Sequence, residues 1–162
     1  MHLTLDANST APILKVNALS IQSAERVLVE QLSFELRAGQ TLALVGESGS
    51  GKSISALALM GLLPKILQVQ GSVLLDGKNL LALNDAQFRP IRGQKIAMVF
   101  QEPMTALNPV LTIGYQIDEQ VLRHKKVSPK EAKDRSIEML KLVGIPSPES
   151  RYLNYPHQLS GG

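Results

Sequence analysis

The chain has no cysteine and no tryptophan. Without thiols it can form no disulfide and no cysteine-ligated metal site, which suits a reducing compartment. Aromatic residues are scarce, at 4% of 162 residues. Neither sign of charge dominates: 17 Lys and Arg against 14 Asp and Glu leave +3, too little to imply nucleic acid as a partner. The longest apolar run, Ala56 to Leu63, falls far short of the ~20 residues a membrane-spanning helix needs. Met1 to Pro12 holds no basic segment followed by an apolar one, so no signal peptide is expected. His2, His124 and His157 are scattered, with no metal-ligand spacing and no Ser/His/Asp set. There is no internal repeat and no low-complexity tract. What remains, 44% hydrophobic and 19% charged, is an ordinary globular composition, long enough for one domain with a real core.

Residues 46–53 read Gly46-Glu47-Ser48-Gly49-Ser50-Gly51-Lys52-Ser53. They satisfy the phosphate-loop pattern G-x-x-x-x-G-K-[ST] at every fixed position. With glycine near 7% of residues, chance gives that pattern in roughly one chain of this length in a few hundred. The spacing is a mechanism. Glycines let the backbone close around an anion, successive N–H groups point into one concavity, Lys52 reaches the phosphates, and the Ser53 hydroxyl is placed for Mg²⁺. Thr41 to Val45 reads as a short buried parallel strand before the loop. Ile54 to Leu63 reads as a helix ended by Pro64, whose N-terminus favours anions. The dinucleotide pattern G-x-G-x-x-G fails, because Ile54 stands at its third position. The expected ligand is a nucleoside triphosphate.

Along the chain, residues 1–12 are expected to be a flexible N-terminus. Ile13–Val16, Val27–Val29 and Leu32–Leu36 read as strands, and Gly71 to Lys78 as a strand entering an Asp-Gly turn. Asn84 to Arg92 is at best a short helix. Lys95 to Phe100 reads as a second buried strand with Gln101 at its C-terminal end, where ligands bind in open α/β sheets. Tyr115 to Lys125 reads as a helix. Ser128-Pro129-Lys130-Glu131 is a capping box opening another helix to about Val143, stopped by Gly144, with Pro146 and Pro148 enforcing a loop. Arg123 to Arg135 holds six Lys or Arg against two acids. That patch reads either as the solvated face of two helices or as a surface for RNA or anionic lipid.

Three motifs stand in order: GESGSGKS at 46–53, FQEPMTALNP at 100–109 and LSGG at 159–162. Together they resemble the ATP-binding subunit of an ABC transporter, matching its Walker A, Q-loop and signature motifs. The wording of the Q-loop and of YPHQLSGG resembles the dipeptide, oligopeptide and nickel importers. The resemblance implies an α/β fold, a P-loop NTPase of ABC type. Its mixed sheet would carry an antiparallel β subdomain over 13–101, the P-loop core being incomplete, followed by a helical subdomain over 102–162. It implies ATP and Mg²⁺ as cofactors, with Gly46, Glu47, Ser48, Gly49, Ser50, Gly51, Lys52, Ser53 and Gln101 at the nucleotide. Ser53 and Gln101 would share the metal, and Ser160, Gly161 and Gly162 would cap the ATP of a second nucleotide-binding subunit. It also implies integral membrane subunits as partners, no nucleic acid, and a peripheral place on the cytoplasmic face of the inner membrane. A non-transport or degenerate ABC protein that binds ATP without turnover is the alternative.

The sequence departs from that family in two ways. The family stacks adenine on an aromatic about 23 residues before the first loop glycine. The window Leu14 to Ser33 holds no aromatic; Ser23 stands at the nominal place and Ile21 is an aliphatic substitute. The Walker B aspartate, catalytic glutamate and switch histidine follow LSGG in the family. No catalytic residue is therefore expected within this chain, and the 162 residues alone are expected to be inactive as an ATPase.

Overall fold

Alternation of apolar residues builds a sheet in the first part of the chain. The computed structural model describes residues 11–100 and 106–159, and the chain divides into two units, 1–92 and 93–162. In the first unit, β1 (Leu14–Gln22) buries Leu14, Val16, Leu19 and Ile21. It pairs antiparallel with β2 (Val27–Leu36) on one side and β3 (Gln68–Leu75) on the other. With β4 (Lys78–Asn79) the order is β2-β1-β3-β4, antiparallel throughout. The inward step from Val16 to Leu19 spans three residues because a bulge intervenes, with Ala18 at φ 44° and Gln31 at φ 46°. Two serines satisfy it: the Ala18 N–H donates to Ser33 Oγ (2.8 Å) and the Gln31 N–H to Ser20 Oγ (3.0 Å). Gly71 lies against this bulge on β3; a Cβ there would meet Ala18 O at 2.5 Å. Asp76 and Gly77, both at positive φ, form the expected tight turn between β3 and β4. The strands exceed the expected bounds, and Val27–Val29 and Leu32–Leu36 belong to one strand.

The expected helix after the phosphate loop is α1 (Lys52–Leu59), shorter than Ile54 to Leu63. Gly61 ends it before Pro64 can. At φ 61° its N–H donates to Ala58 O (3.1 Å), and the Leu62 N–H reaches Leu57 O (2.9 Å). Arg92 then holds this C-terminus. Its Nε donates to Met60 O and its Nη2 to Gly61 O, each at 2.8 Å, while Nη1 pairs with Asp85 (2.9 Å) and the guanidinium lies over the Phe88 ring. The short helix α2 (Asp85–Phe88) supplies both partners and opens with an Asn84–Gln87 capping box.

Two sequence expectations fail. Thr41 to Val45 is not a strand, and Val45 is 89% exposed. Lys95 to Phe100 is not a buried strand either: the Ile96 carbonyl accepts from the Gly93 N–H (2.9 Å) in a local turn, and Val99 is 96% exposed. A central strand exists only between two neighbours that complete its ladder. Among the described residues no strand lies beside either run. Leu42 and Leu44 instead border an apolar cavity of about 250 Å³, facing Leu32, Phe34 and Leu59.

In the second unit three helices pack together: α3 (Ile113–His124), α4 (Pro129–Leu142) and α5 (Pro148–Tyr152). Thr112 caps α3, and the predicted Ser128–Glu131 box caps α4. Gly144 stops α4 as expected, with its N–H on Lys141 O and that of Ile145 on Leu140 O, both 3.0 Å. Pro148, read as part of a loop, instead opens α5, because proline at the first helical position lacks only an N–H the helix would leave orphaned. Asp118 ties the three helices: it accepts from Ser136 Oγ (2.5 Å) and from the Tyr152 hydroxyl. The Tyr152 ring lies on Gly114, leaving no room for a Cβ there. Among the described residues no helix is long and apolar enough to cross a membrane.

Burial, reinforced by the Asp118 carboxylate, pushes the Tyr152 phenol up from 10.0 to about 12. A raised folded value means that folding favours the neutral phenol. Its contribution is complete below about pH 10 and is lost as pH rises through about 12. Alkaline titration of phenolate absorbance is expected to show one tyrosine ionising late, together with loss of helical signal. In Tyr152→Phe that late step should vanish; a late step persisting unchanged would contradict the assignment.

Candidate nucleotide-binding site

Residues 46–53 form a closed turn leading into α1. The Ser50 N–H returns to Glu47 O (3.2 Å), and Gly49 and Gly51 take φ 81° and 88°, a region that L side chains avoid. Each fixed glycine has its own cause. A Cβ at Gly46 would meet Ser50 Oγ at 2.6 Å, and one at Gly51 would meet Leu28 O at 2.6 Å and Val29 Cγ2 at 2.7 Å. β2 therefore buttresses the end of the loop. Lys52 folds back along the turn, its Nζ donating to Gly46 O (2.7 Å), Glu47 O (2.5 Å) and Ser50 Oγ (3.2 Å). The ammonium is thus fixed at the rim of the turn. Ser53 follows in the first turn of α1 and is exposed.

No side chain caps α1, and no acid lies in its first turn. Asn84, Thr112 and Ser128 cap α2, α3 and α4, whereas α5, like α1, has no side-chain cap. Here the leading N–H groups of α1 and the positive end of its dipole are left for an anion, with the Lys52 ammonium held at the same loop by three of its oxygens. These residues fit a triphosphate, with the Ser53 hydroxyl as an oxygen ligand for a hard cation. Among the described residues no group of His, Asp and Glu could hold a metal by itself.

Gln101 lies outside the described residues, as do Ser160, Gly161 and Gly162. Described residues beyond Gln101 and before Ser160 make local ties of their own. Beyond Gln101, the Gln116 side chain clamps Asn108, accepting from its N–H (2.8 Å) and donating to its C=O (3.0 Å). Before Ser160, the turn Pro156–Gln158 buries Pro156, and the Gln158 side chain accepts from the Tyr155 N–H at 2.8 Å. Of the residues expected near the base, Ile21 is 0% exposed within the core and cannot touch a ligand. Ser23 is spent in the β1–β2 hairpin, where its Oγ accepts from the Arg26 N–H (3.1 Å). Sequence reasoning missed Arg92, which secures the far end of the phosphate-loop helix. Asp85 and Arg89 pair at i,i+4, a local spacing, but the reach of Arg92 to Met60, 32 residues away, had no local signal.

The family described as "ABC transporter" matches residues 29–162. The dipeptide transport ATP-binding protein DppD of Bacillus subtilis (strain 168) is 52% identical over 136 residues, 83% of this chain and 41% of that protein. The oligopeptide transport ATP-binding protein OppD of the same organism is 43% identical over 156 residues, 93% of this chain and 44% of its own length. This chain therefore spans less than half the length of these curated relatives. Among solved structures, the dimeric bacterial ABC transporter cassette MJ0796 superposes with a TM-score of 0.73 at 26% identity, covering 91% of this chain and 63% of that one. With the phosphate loop formed and the family matched over most of its length, this chain belongs to the ABC transporter family.

Proposed function

We propose that this chain carries the ATP-binding segment of a transporter ATPase that energises uptake of peptides or a related small solute. The observation that carries it is the formed loop with its tethered Lys52 at an uncapped helix N-terminus. The names of the relatives, dipeptide and oligopeptide transport ATP-binding proteins, support the choice of solute. The loop N–H groups and Lys52 would bind the phosphates, and Ser53 with Gln101 would hold Mg²⁺. When bound, the cation supplies charge neutralisation between phosphate oxygens. Ser160, Gly161 and Gly162 would close over the nucleotide of a second copy or a homologous subunit. Calorimetry with Mg·ATP tests the reading: saturable binding is expected, and no heat from a folded chain would refute it.

The base should be read weakly. Ile21 is buried and Ser23 is committed to its turn, so neither replaces the missing aromatic. Base–aromatic stacking is worth roughly 1–3 kcal/mol. ATP and GTP are expected to compete within about tenfold, and a preference above about a hundredfold in displacement titrations would expose an unrecognised base contact.

The segment after Gln101 would carry the contact with the membrane subunit. Val110 is 76% exposed beside the Gln116 clamp. A crosslinker at Val110 in the assembled transporter is expected to capture a cytoplasmic loop of an integral membrane protein. Capture through Ile13 instead would overturn the assignment.

A further inference from the structure

The most concentrated charge in the sequence lies where α3 ends and α4 begins. Arg123, Lys125, Lys126, Lys130, Lys133 and Arg135 face only Glu131 and Asp134 within thirteen residues, an excess larger than the +3 of the whole chain. Three nearby carboxylates are committed to groups other than Lys125, Lys126 and Lys130. Glu119 pairs with Arg123 at 2.8 Å. Glu131 is turned onto the Ser128 N–H (2.8 Å) and Oγ (2.7 Å) as the capping box. Asp118 is taken by Ser136 and Tyr152. Lys133 rests over the Tyr152 ring, 5.4 Å from its centre. Lys125, Lys126 and Lys130 remain exposed, and among the described residues none has an ion-pair partner. Lys130 also stands in the first turn of α4, where the helix dipole disfavours a cation, so helix stability does not account for it.

We propose that Lys125, Lys126 and Lys130 form a contact for an anionic lipid surface. The occupant follows from what surrounds the lysines. Between Leu122 and Arg135 there is no Phe, Tyr or Trp, and the one ring, His124, is half-buried at the end of α3, so an extended platform on which successive unpaired bases could stack is missing. Aliphatic groups are there instead: Leu122 is exposed and Val127 half-buried in the same turn region. Long cationic side chains beside short aliphatic ones suit the headgroup layer. The inference goes beyond nucleotide binding and rests on the transporter reading only for placing a membrane within reach.

The test is flotation of the 162-residue chain with vesicles of phosphatidylcholine, with and without about 30 mol% phosphatidylglycerol. Binding is expected only to the anionic vesicles and should collapse when salt rises towards about 1 M, where the Debye length is ~3 Å. Near an anionic surface each lysine contributes about fivefold, so the triple variant Lys125→Ala/Lys126→Ala/Lys130→Ala is expected to lose roughly a hundredfold in partitioning. Lys65→Ala/Lys78→Ala, exposed lysines of the other unit, should lose far less. Equal binding to neutral vesicles, or an unchanged triple variant, would overturn the proposal. So would polyuridylate binding lost in the triple variant without any vesicle binding, which would assign the patch to RNA. Mg·ATP calorimetry on the same triple variant separates this result from the nucleotide reading, which it should leave intact.

Discussion

Phosphate release by the purified 162-residue chain is expected to stay orders of magnitude below roughly 1 per second, the low end of ordinary enzymatic turnover, while Mg·ATP still binds. Hydrolysis needs a group that orients or deprotonates water beside the γ-phosphate, together with a fully held metal. Lys52 and Ser53 answer the binding half of that requirement. For the other half, the carboxylates adjoining the named site residues are Glu47, exposed within the loop, and Glu102, next to Gln101 in sequence. Neither stands where the family resemblance would put the catalytic glutamate, after the signature motif. General acid–base assistance alone contributes about 10²–10⁴-fold, and loss of a metal ligand adds to the deficit. Preparations of Lys52→Ala give the background of contaminating ATPases. Turnover near 1 per second that disappears in Lys52→Ala would show that the chain holds a catalytic group outside those named. It would also remove the alternative of an ABC protein that binds without turnover.

The parts of this fold that were legible in the sequence are those whose cause is local. The phosphate loop, the Asp76-Gly77 turn, the Ser128–Glu131 box and the Gly144 stop each depend on a few adjacent residues, and each forms where read. Gly61 was legible by the same rule, but Pro64 is the louder signal and drew the helix end too far. The two misread strands differ in kind. An apolar run such as Thr41 to Val45 records that it packs between neighbours, and composition does not say where those neighbours are. The chain spans 41% of the dipeptide-type relative it matches, and no described residue completes either ladder. Long-range polar ties escaped for a related reason. Asp118, Ser136 and Tyr152 are separated by 18 and 16 residues and have no shared motif; only packing of three helices brings them together. The site divides likewise. Its proposed phosphate half is one continuous segment, so the loop itself could be read locally. Its base half depends on which side chains a hairpin leaves exposed, so Ile21 was a reasonable candidate until the bulged register placed it in the core.

Lys52→Ala is expected to weaken Mg·ATP binding by roughly 10- to 150-fold, the loss of a charge-assisted contact worth about 1.5–3 kcal/mol. The structure gives this side chain two tasks. Its ammonium is the cation nearest the turn, and its three hydrogen bonds to Gly46 O, Glu47 O and Ser50 Oγ close the turn on itself. Alanine removes both the charge and the tie, so the loop must be ordered at the moment of binding, and the loss should fall toward the upper end of that range. Lys52→Arg separates the two effects. It keeps the charge, but a planar fork with fixed donor directions cannot reproduce three bonds converging on one nitrogen. Its affinity is expected between wild type and alanine. Calorimetry measures all three proteins, with far-UV circular dichroism confirming that each is folded. Raising the salt should narrow the gap between wild type and alanine only slightly, since a contact inside the turn is poorly screened. Equal affinities for folded wild type and Lys52→Ala would mean that the phosphates bind elsewhere, and the proposed site would have to be abandoned.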